Sequence, residues 1–219
     1  SSLLQGQTAF IENIQQVSGA EAQIWFEAIP HLVRDLEMTW NLKLTEVLPD
    51  LTFSFVAGVQ DQMGRDLILK LGPPQGLLHR EIDWYSLNPE GTPQVFHFDR
   101  LRRALLMQRV RPGHSLKQWV REGRDDEATR AIARAIQSLN PRPLTPLVES
   151  KFEHVSDLVK TLGNLKGRVS AELLERAEAV FHILGAPSVR DVVLHGDLHH
   201  DNLIAGEDGQ WLVIDPHGY

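Results

Sequence analysis

The sequence predicts an α+β protein with its strands ahead of its helices, and three observations carry that prediction. Between Leu42 and Val110 short apolar runs alternate with polar residues and turn formers; beyond Ser115 apolar residues recur at helical spacing. The last stretch, VVLHGDLHHDNLIAGEDGQWLVIDPHG from Val192 to Gly218, returns to short strands whose ends carry polar residues. Strands, then helices, then a loaded hairpin make a segregated α+β architecture rather than an alternating α/β one.

The first 41 residues read as helical. Ser18 and Glu21 form a capping-box pattern ahead of Ile24, Trp25, Ala28 and Ile29, Pro30 interrupts, and Leu32, Val33, Leu36 and Trp40 resume the stripe. The amphipathicity is plain, which favours a helical pair packed on the following sheet over a substrate lid. Alternation then runs to Leu71, with a turn at Gln60 to Arg65, and DLILKL (Asp66 to Leu71) reads as a central strand carrying Lys70. Taken alone, a lysine in such a strand indicates an edge or a snorkelling side chain. Gln75 to Leu87 reads as a helix in which Glu81 is the only glutamate and Asp83 projects elsewhere.

Two further strands follow, Gln94 to Phe98 and Ala104 to Val110, and Arg111, Pro112 and Gly113 break the second before a helix begins near Ser115. Ala128, Ile132, Ala135, Ile136 and Leu139 form one helical stripe, with Asp125 and Asp126 at its favourable N-terminal end. A loop with three prolines occupies Asn140 to Pro146. Phe152, Val155, Val159 and Leu162 make a second stripe; Leu173, Leu174, Ala177, Val180, Phe181 and Leu184 make a third, with Ser170 as its cap.

The closing stretch holds the chemistry. Val192 to Leu194 reads as a brief buried strand, and Leu203 to Ala205 and Trp211 to Ile214 as a hairpin turned by Gly206, Glu207, Asp208 and Gly209. Closing that hairpin brings Asn202 and Asp215 together beside His195 and Asp197. Asp197 and Asn202 stand as DxxxxN, a spacing in which the carboxylate accepts a hydroxyl proton and the amide oxygen ligates a divalent cation; Asp215 takes the place of a second ligand. Mg2+ suits this set, because it takes few protein oxygens and fills its shell with phosphate and water.

These motifs, HGDLHHDN and IDPHG, resemble those of the aminoglycoside phosphotransferases, within the protein-kinase-like superfamily, and most closely the streptomycin 6-kinase or hydroxyurea-resistance-kinase branch. The resemblance covers about Trp40 to Gly218 and implies a bilobal kinase-like fold: residues 1–110 as an N-terminal lobe of leading helices, antiparallel sheet and the Glu81 helix, and 111–219 as a mainly helical C-terminal lobe carrying the hairpin. It implies Asp197 as catalytic base, Asn202 and Asp215 as metal ligands, and Lys70 on the α- and β-phosphates, oriented by Glu81. A purine would meet the backbone of Met107, Gln108 and Arg109 at the lobe junction, with core filling the alternative for Met107. No GxGxxG signature is present, and Pro49 to Ser54, with Thr52 and Ser54, is only a positional candidate for the phosphate loop. The resemblance implies ATP as the nucleotide, and the missing signature leaves GTP open. In the resembled family, helices and acidic substrate contacts follow the metal motif, so a fold truncated after Gly218 is expected.

Composition sets the outer limits. With 219 residues, 42% of them hydrophobic, the chain can bury a substantial core as one large domain or two lobes. A net charge of -7 disfavours nucleic acid and admits a cationic small-molecule hydroxyl substrate. There is no cysteine for a disulfide or a thiolate zinc site, and no membrane-spanning run or signal-peptide pattern, so the cytoplasm is the default location. No feature assigns an oligomeric state. Two other functions compete with the kinase: a metal-dependent hydrolase built on His195, Asp197, His199 and His200, whose imidazoles suit zinc or manganese, and a catalytically inactive kinase-like binding module.

Overall fold

Two helices open the chain, α1 (Thr8–Ser18) and α2 (Glu21–Trp40), in a computed structural model that describes residues 2–87, 90–139, 151–184, 192–207 and 209–219. Ser18 closes α1 rather than capping α2, because Gly19 at φ 52° turns the chain between them and Ala20 precedes α2 without a side-chain cap. Pro30 does not interrupt α2 but lies inside it. An interior proline costs about 3 kcal/mol, and the buried side chains on both sides of it, Trp25, Phe26 and Ile29 before and Val33 and Leu36 after, are each worth about 1.5–3 kcal/mol. Packing therefore outweighs the breaker. The buried stripe is also rotated from the expected one, and Ile24 stands in solvent.

Five strands follow: β1 (Leu42–Val47), β2 (Phe55–Asp61), β3 (Asp66–Leu71), β4 (Val95–Asp99) and β5 (Ala104–Gln108). They pair antiparallel in the order β1-β2-β3-β5-β4, which puts Lys70 on the central strand as expected. The period of two divides the sheet. Phe55, Ala57, Val59, Leu67, Leu69, Leu71, Ala104 and Leu106 meet α1 and α2 in one core; Ile68, Leu105 and Met107 turn to the other face and join a second core with α3 (Leu78–Leu87) and α5 (Asp125–Ser138). The leading helices are thus packed on the sheet, and the β1–β2 loop is pinned to them, Leu51 donating its N–H to Gln7 and Thr52 accepting from Asn13.

The second half is helical in shorter pieces. After α4 (Lys117–Arg121), α5 buries Ala128, Ala131 and Ala135, small residues that allow close approach, while Ile136 of the expected stripe is exposed. Val155–Leu165, which periodicity predicts as an α-helix, is a run of 3-10 turns with none of its residues buried. Only partly buried, the apolar stripe does not enforce α-helical winding. The third stripe is α6 (Ala171–Leu184), and Ser170 caps it by accepting the Leu173 N–H at 3.3 Å. The loop at Asn140 to Pro146 lies outside the described residues, as does Asp208 of the hairpin turn. No helix among the described residues is long and apolar enough to cross a membrane.

The final hairpin is β6 (Leu203–Ala205) with β7 (Trp211–Val213), in register Leu203 to Val213. Its outer edge is tied to the segment after β5: Gly113 and Leu116 donate to the Ala205 and Leu203 carbonyls, and Ala205 donates to that of His114. Val192 to Leu194 is not a full strand. Instead Leu194 exchanges backbone hydrogen bonds with Tyr219, so the segment before His195 and the segment after Asp215 run side by side.

Candidate active site

Three buried or half-buried charges meet where β3, α3 and the end of β7 converge. Strand parity turns Lys70 to the second core, and α3 presents Glu81 and Tyr85, four residues apart, on the same side. The Lys70 ammonium donates to both Glu81 oxygens, at 2.9 and 2.7 Å, and to Asp215 Oδ1 at 2.6 Å. Lys70 and Glu81 are 7% and 5% exposed, so this is an interior pair rather than a surface bridge. Burial works against the Lys70 charge, but the Asp215 and Glu81 carboxylates outweigh it and raise its pKa, fixing the ammonium form. Burial pushes the Glu81 carboxyl up to about 7, against the pull of Lys70. For Asp215 burial also works upward, and the Lys70 ammonium more than offsets it, holding that carboxyl below its ordinary value.

Asp215 sits at φ 57°, a left-handed conformation that L side chains rarely adopt. The backbone on both sides holds it there: its N–H donates to the Tyr85 hydroxyl oxygen at 3.3 Å, and the His217 and Gly218 N–H groups both donate to the His195 carbonyl, at 2.8 and 3.1 Å. Tyr85 was not legible as a site residue. Its spacing from Glu81, on the same helical face, was the available signal.

His195 braces the loop with both ring nitrogens. Nε2–H donates to the Ile214 carbonyl at 2.9 Å and Nδ1 accepts the Asp197 N–H at 3.3 Å, which fixes a neutral tautomer. Burial lowers its pKa to about 4, from an ordinary 6.5. A histidine depressed in the folded state contributes stability above its unfolded value, lost as the pH falls through the folded one. Stability should therefore decline from pH 6.5 to pH 4 by up to about 3 kcal/mol from this group. Urea unfolding at a series of pH values should show that decline, and His195→Gln, which cannot titrate, should flatten it; an unchanged acid slope would remove His195 as its source.

Asp197 follows on a turn that only Gly196 permits: φ is 83°, and a Cβ there would collide with the Tyr219 ring. Its side chain is 40% exposed, open to a substrate. The Asn202 amide nitrogen donates to the Asp197 carbonyl at 2.8 Å and to its Oδ2 at 3.2 Å, so the amide oxygen is the atom that could meet a cation. His199 and His217 bracket Asp197 Oδ2, with Nε2 atoms at 3.5 and 3.6 Å. Behind the loop, Ser115 and Lys117 bond Asp201 at 3.2 and 2.6 Å and anchor it to the start of α4.

The donor set fits a hard divalent cation. One amide oxygen from Asn202 and a carboxylate from Asp215, both held on a braced backbone, are the few oxygens that Mg2+ takes from protein. Among the described residues no group of three or more histidine and acidic side chains is arranged to hold a metal ion. His195 is spent on the backbone, and His199 Nδ1 accepts the Asp201 N–H, so the cluster needed for a zinc or manganese hydrolase is not assembled.

At the end of β5 the picture is mixed. Met107 is core, packed with Leu105, Leu78 and Ile82. Gln108 is pinned to Gln94, donating its N–H to that carbonyl and accepting the Gln94 N–H on its side chain. Arg109 reaches across Gly58 to Glu46 at 2.7 Å and Asp66 at 3.3 Å.

Residues 39–219 match the family described as aminoglycoside/hydroxyurea antibiotic resistance kinase. The streptomycin 6-kinase of Streptomyces glaucescens is 28% identical over 205 residues, which cover 90% of this chain and 65% of that protein. A streptomycin 3''-kinase of Klebsiella pneumoniae is 33% identical over 148 residues, 67% of this chain and 52% of its own length. The chain thus spans between half and two thirds of these two relatives. In structure, a choline kinase from Streptococcus pneumoniae superposes with a TM-score of 0.54 at 13% identity, covering 88% of this chain and 69% of that one, a likeness of fold.

Proposed function

Because the chain belongs to the aminoglycoside/hydroxyurea antibiotic resistance kinase family, we propose that it transfers the γ-phosphate of ATP to a hydroxyl of an aminoglycoside- or aminocyclitol-like small molecule. The observation that carries this is the single ammonium of Lys70, bridging Glu81 on α3 and Asp215 at the hairpin end. That bridge joins the sheet, the helix and the end of the closing hairpin, and the segment after Asp215 is bonded in turn to His195 of the Asp197 loop.

Each side chain has one task. Lys70, held charged and aimed by Glu81, binds the α- and β-phosphates. Asn202 and Asp215 hold Mg2+, which when bound supplies charge neutralisation across the phosphate oxygens. Asp197 orients the acceptor hydroxyl and takes its proton; its carboxylate is half-exposed, and the loop's other acid, Asp201, is engaged by Lys117 and Ser115. Both kinase relatives are streptomycin kinases, so streptomycin and other cationic aminocyclitols are the first substrates to try, in line with the net charge of -7.

Mg-ATP at about a hundred times its dissociation constant should stabilise the folded chain by about 2.7 kcal/mol, read as a rise in melting temperature, with Mg-GTP as the comparison. Transfer of labelled γ-phosphate to a panel of aminocyclitols and sugars then finds the acceptor. Absence of stabilisation by either nucleotide in the presence of Mg2+ would sink the proposal.

A further inference from the structure

We propose that Lys151, Phe152 and Glu153 form a clasp that fixes α3 against the Asp215 to Gly218 segment, and so positions Glu81 and Lys70. Its link to turnover rests on the kinase reading above. The two flanking charges grip α3 on either side of Glu81. Glu153 accepts from Arg80 at 2.7 Å, and Lys151 donates to Asp83 at 2.8 Å. Asp83 is 6% exposed and also receives Arg100 in a two-point bond at 3.1 and 2.7 Å, so it joins the clasp to the turn between β4 and β5. Burial works against the Asp83 charge, and its Arg100 and Lys151 partners overcome it, keeping the carboxyl below its ordinary value.

Between those grips Phe152 reaches the other side. It packs on the second core, and a Cβ built on Gly218 would lie 2.5 Å from its ring and 3.8 Å from Arg80 Cβ. Gly218, at φ 72°, is therefore sandwiched between α3 and Phe152 three residues after Asp215. One tripeptide touches both the helix that orients Lys70 and the segment that carries Asp215. Phe152, Arg80 and Glu153 are positioning residues that act through Glu81, not groups that meet the substrate.

The test uses the full chain. Phe152→Ala should lower kcat about tenfold, with the nucleotide KM changed by less than about twofold, because displacement of a positioned group by a fraction of an ångström acts on the transition state. In a Lys70→Ala background the same substitution should add nothing. Hydrogen exchange should accelerate across residues 78–87 and 215–219, with β1 and β2 unaffected. Should Phe152→Ala fail to fold, the charge swap decides: Arg80→Glu or Glu153→Arg should each lower kcat and speed exchange in α3, and the double swap should restore both. Unchanged α3 exchange in Phe152→Ala, or in Arg80→Glu where the first does not fold, overturns the clasp, as does a loss that multiplies with Lys70→Ala. Exchange needs no substrate, so a wild-type chain without transferase activity defeats the kinase reading and leaves the clasp to be judged by exchange alone.

Discussion

Asp197→Asn should bind Mg-ATP as the wild type does and lose phosphoryl transfer by about a hundred- to ten-thousand-fold. The substitution is close to isosteric, and the Asn202 amide can still donate to the new side chain's oxygen at the 3.2 Å contact. What disappears is proton affinity at Asp197; Asp201, equally exposed, is tied to Lys117 and Ser115. Asp215→Asn should behave differently, weakening Mg2+ and nucleotide binding together, because it removes both an ionic metal ligand and the carboxylate bonded to Lys70 at 2.6 Å. Calorimetric nucleotide titration beside a transfer assay separates the two. Near-normal turnover in Asp197→Asn on an accepted substrate would show that this loop does not supply the base.

What the sequence disclosed and what it withheld divide along physical lines. The central strand, the Glu81 helix and the closing hairpin were legible because each combines a clean periodicity with local turn chemistry, and their register follows from burying one face. The charge triad was half legible. Lys70 stood out against apolar neighbours and Glu81 as the only glutamate of its helix, and they do pair, but the contact of Lys70 with Asp215 spans 145 residues and depends on how the hairpin docks. Elsewhere tertiary context won. Pro30 sits within α2 because both flanking turns are buried, and Val155–Leu165 winds as 3-10 turns, its stripe only partly buried. Tyr85 and His217 escaped notice for another reason: each acts by proximity to a residue already chosen, and neither type marks a site by itself.

Lys70→Met should cost about 3–5 kcal/mol of stability, Glu81→Gln less because Asp215 still pairs with Lys70, and the double variant should cost much less than the sum of the two. Without Lys70 the buried Glu81 carboxylate is left with no cation, whereas without Glu81 the ammonium keeps its bond to Asp215 at 2.6 Å; removing both leaves neutral groups of similar volume. The acid limb distinguishes the singles. Without Lys70 nothing opposes the burial that already pushes Glu81 up to about 7, so this carboxyl takes a proton more readily in the folded state than in the unfolded one. A raised folded value gives stability that is present below the unfolded value of about 4.5 and lost as the pH rises through the folded one. Lys70→Met should therefore be markedly more stable at pH 5 than at pH 8, and the double variant should lose that difference. Turnover should not follow stability: it stays low in both singles and in the double, since phosphates lose their ammonium or its orientation whichever partner is missing. Denaturant titrations at the two pH values, run beside the transfer assay, read both properties. Additive stability losses would mean that Lys70 and Glu81 do not form a coupled buried pair, and recovery of turnover in the double variant would remove Lys70 from the chemistry.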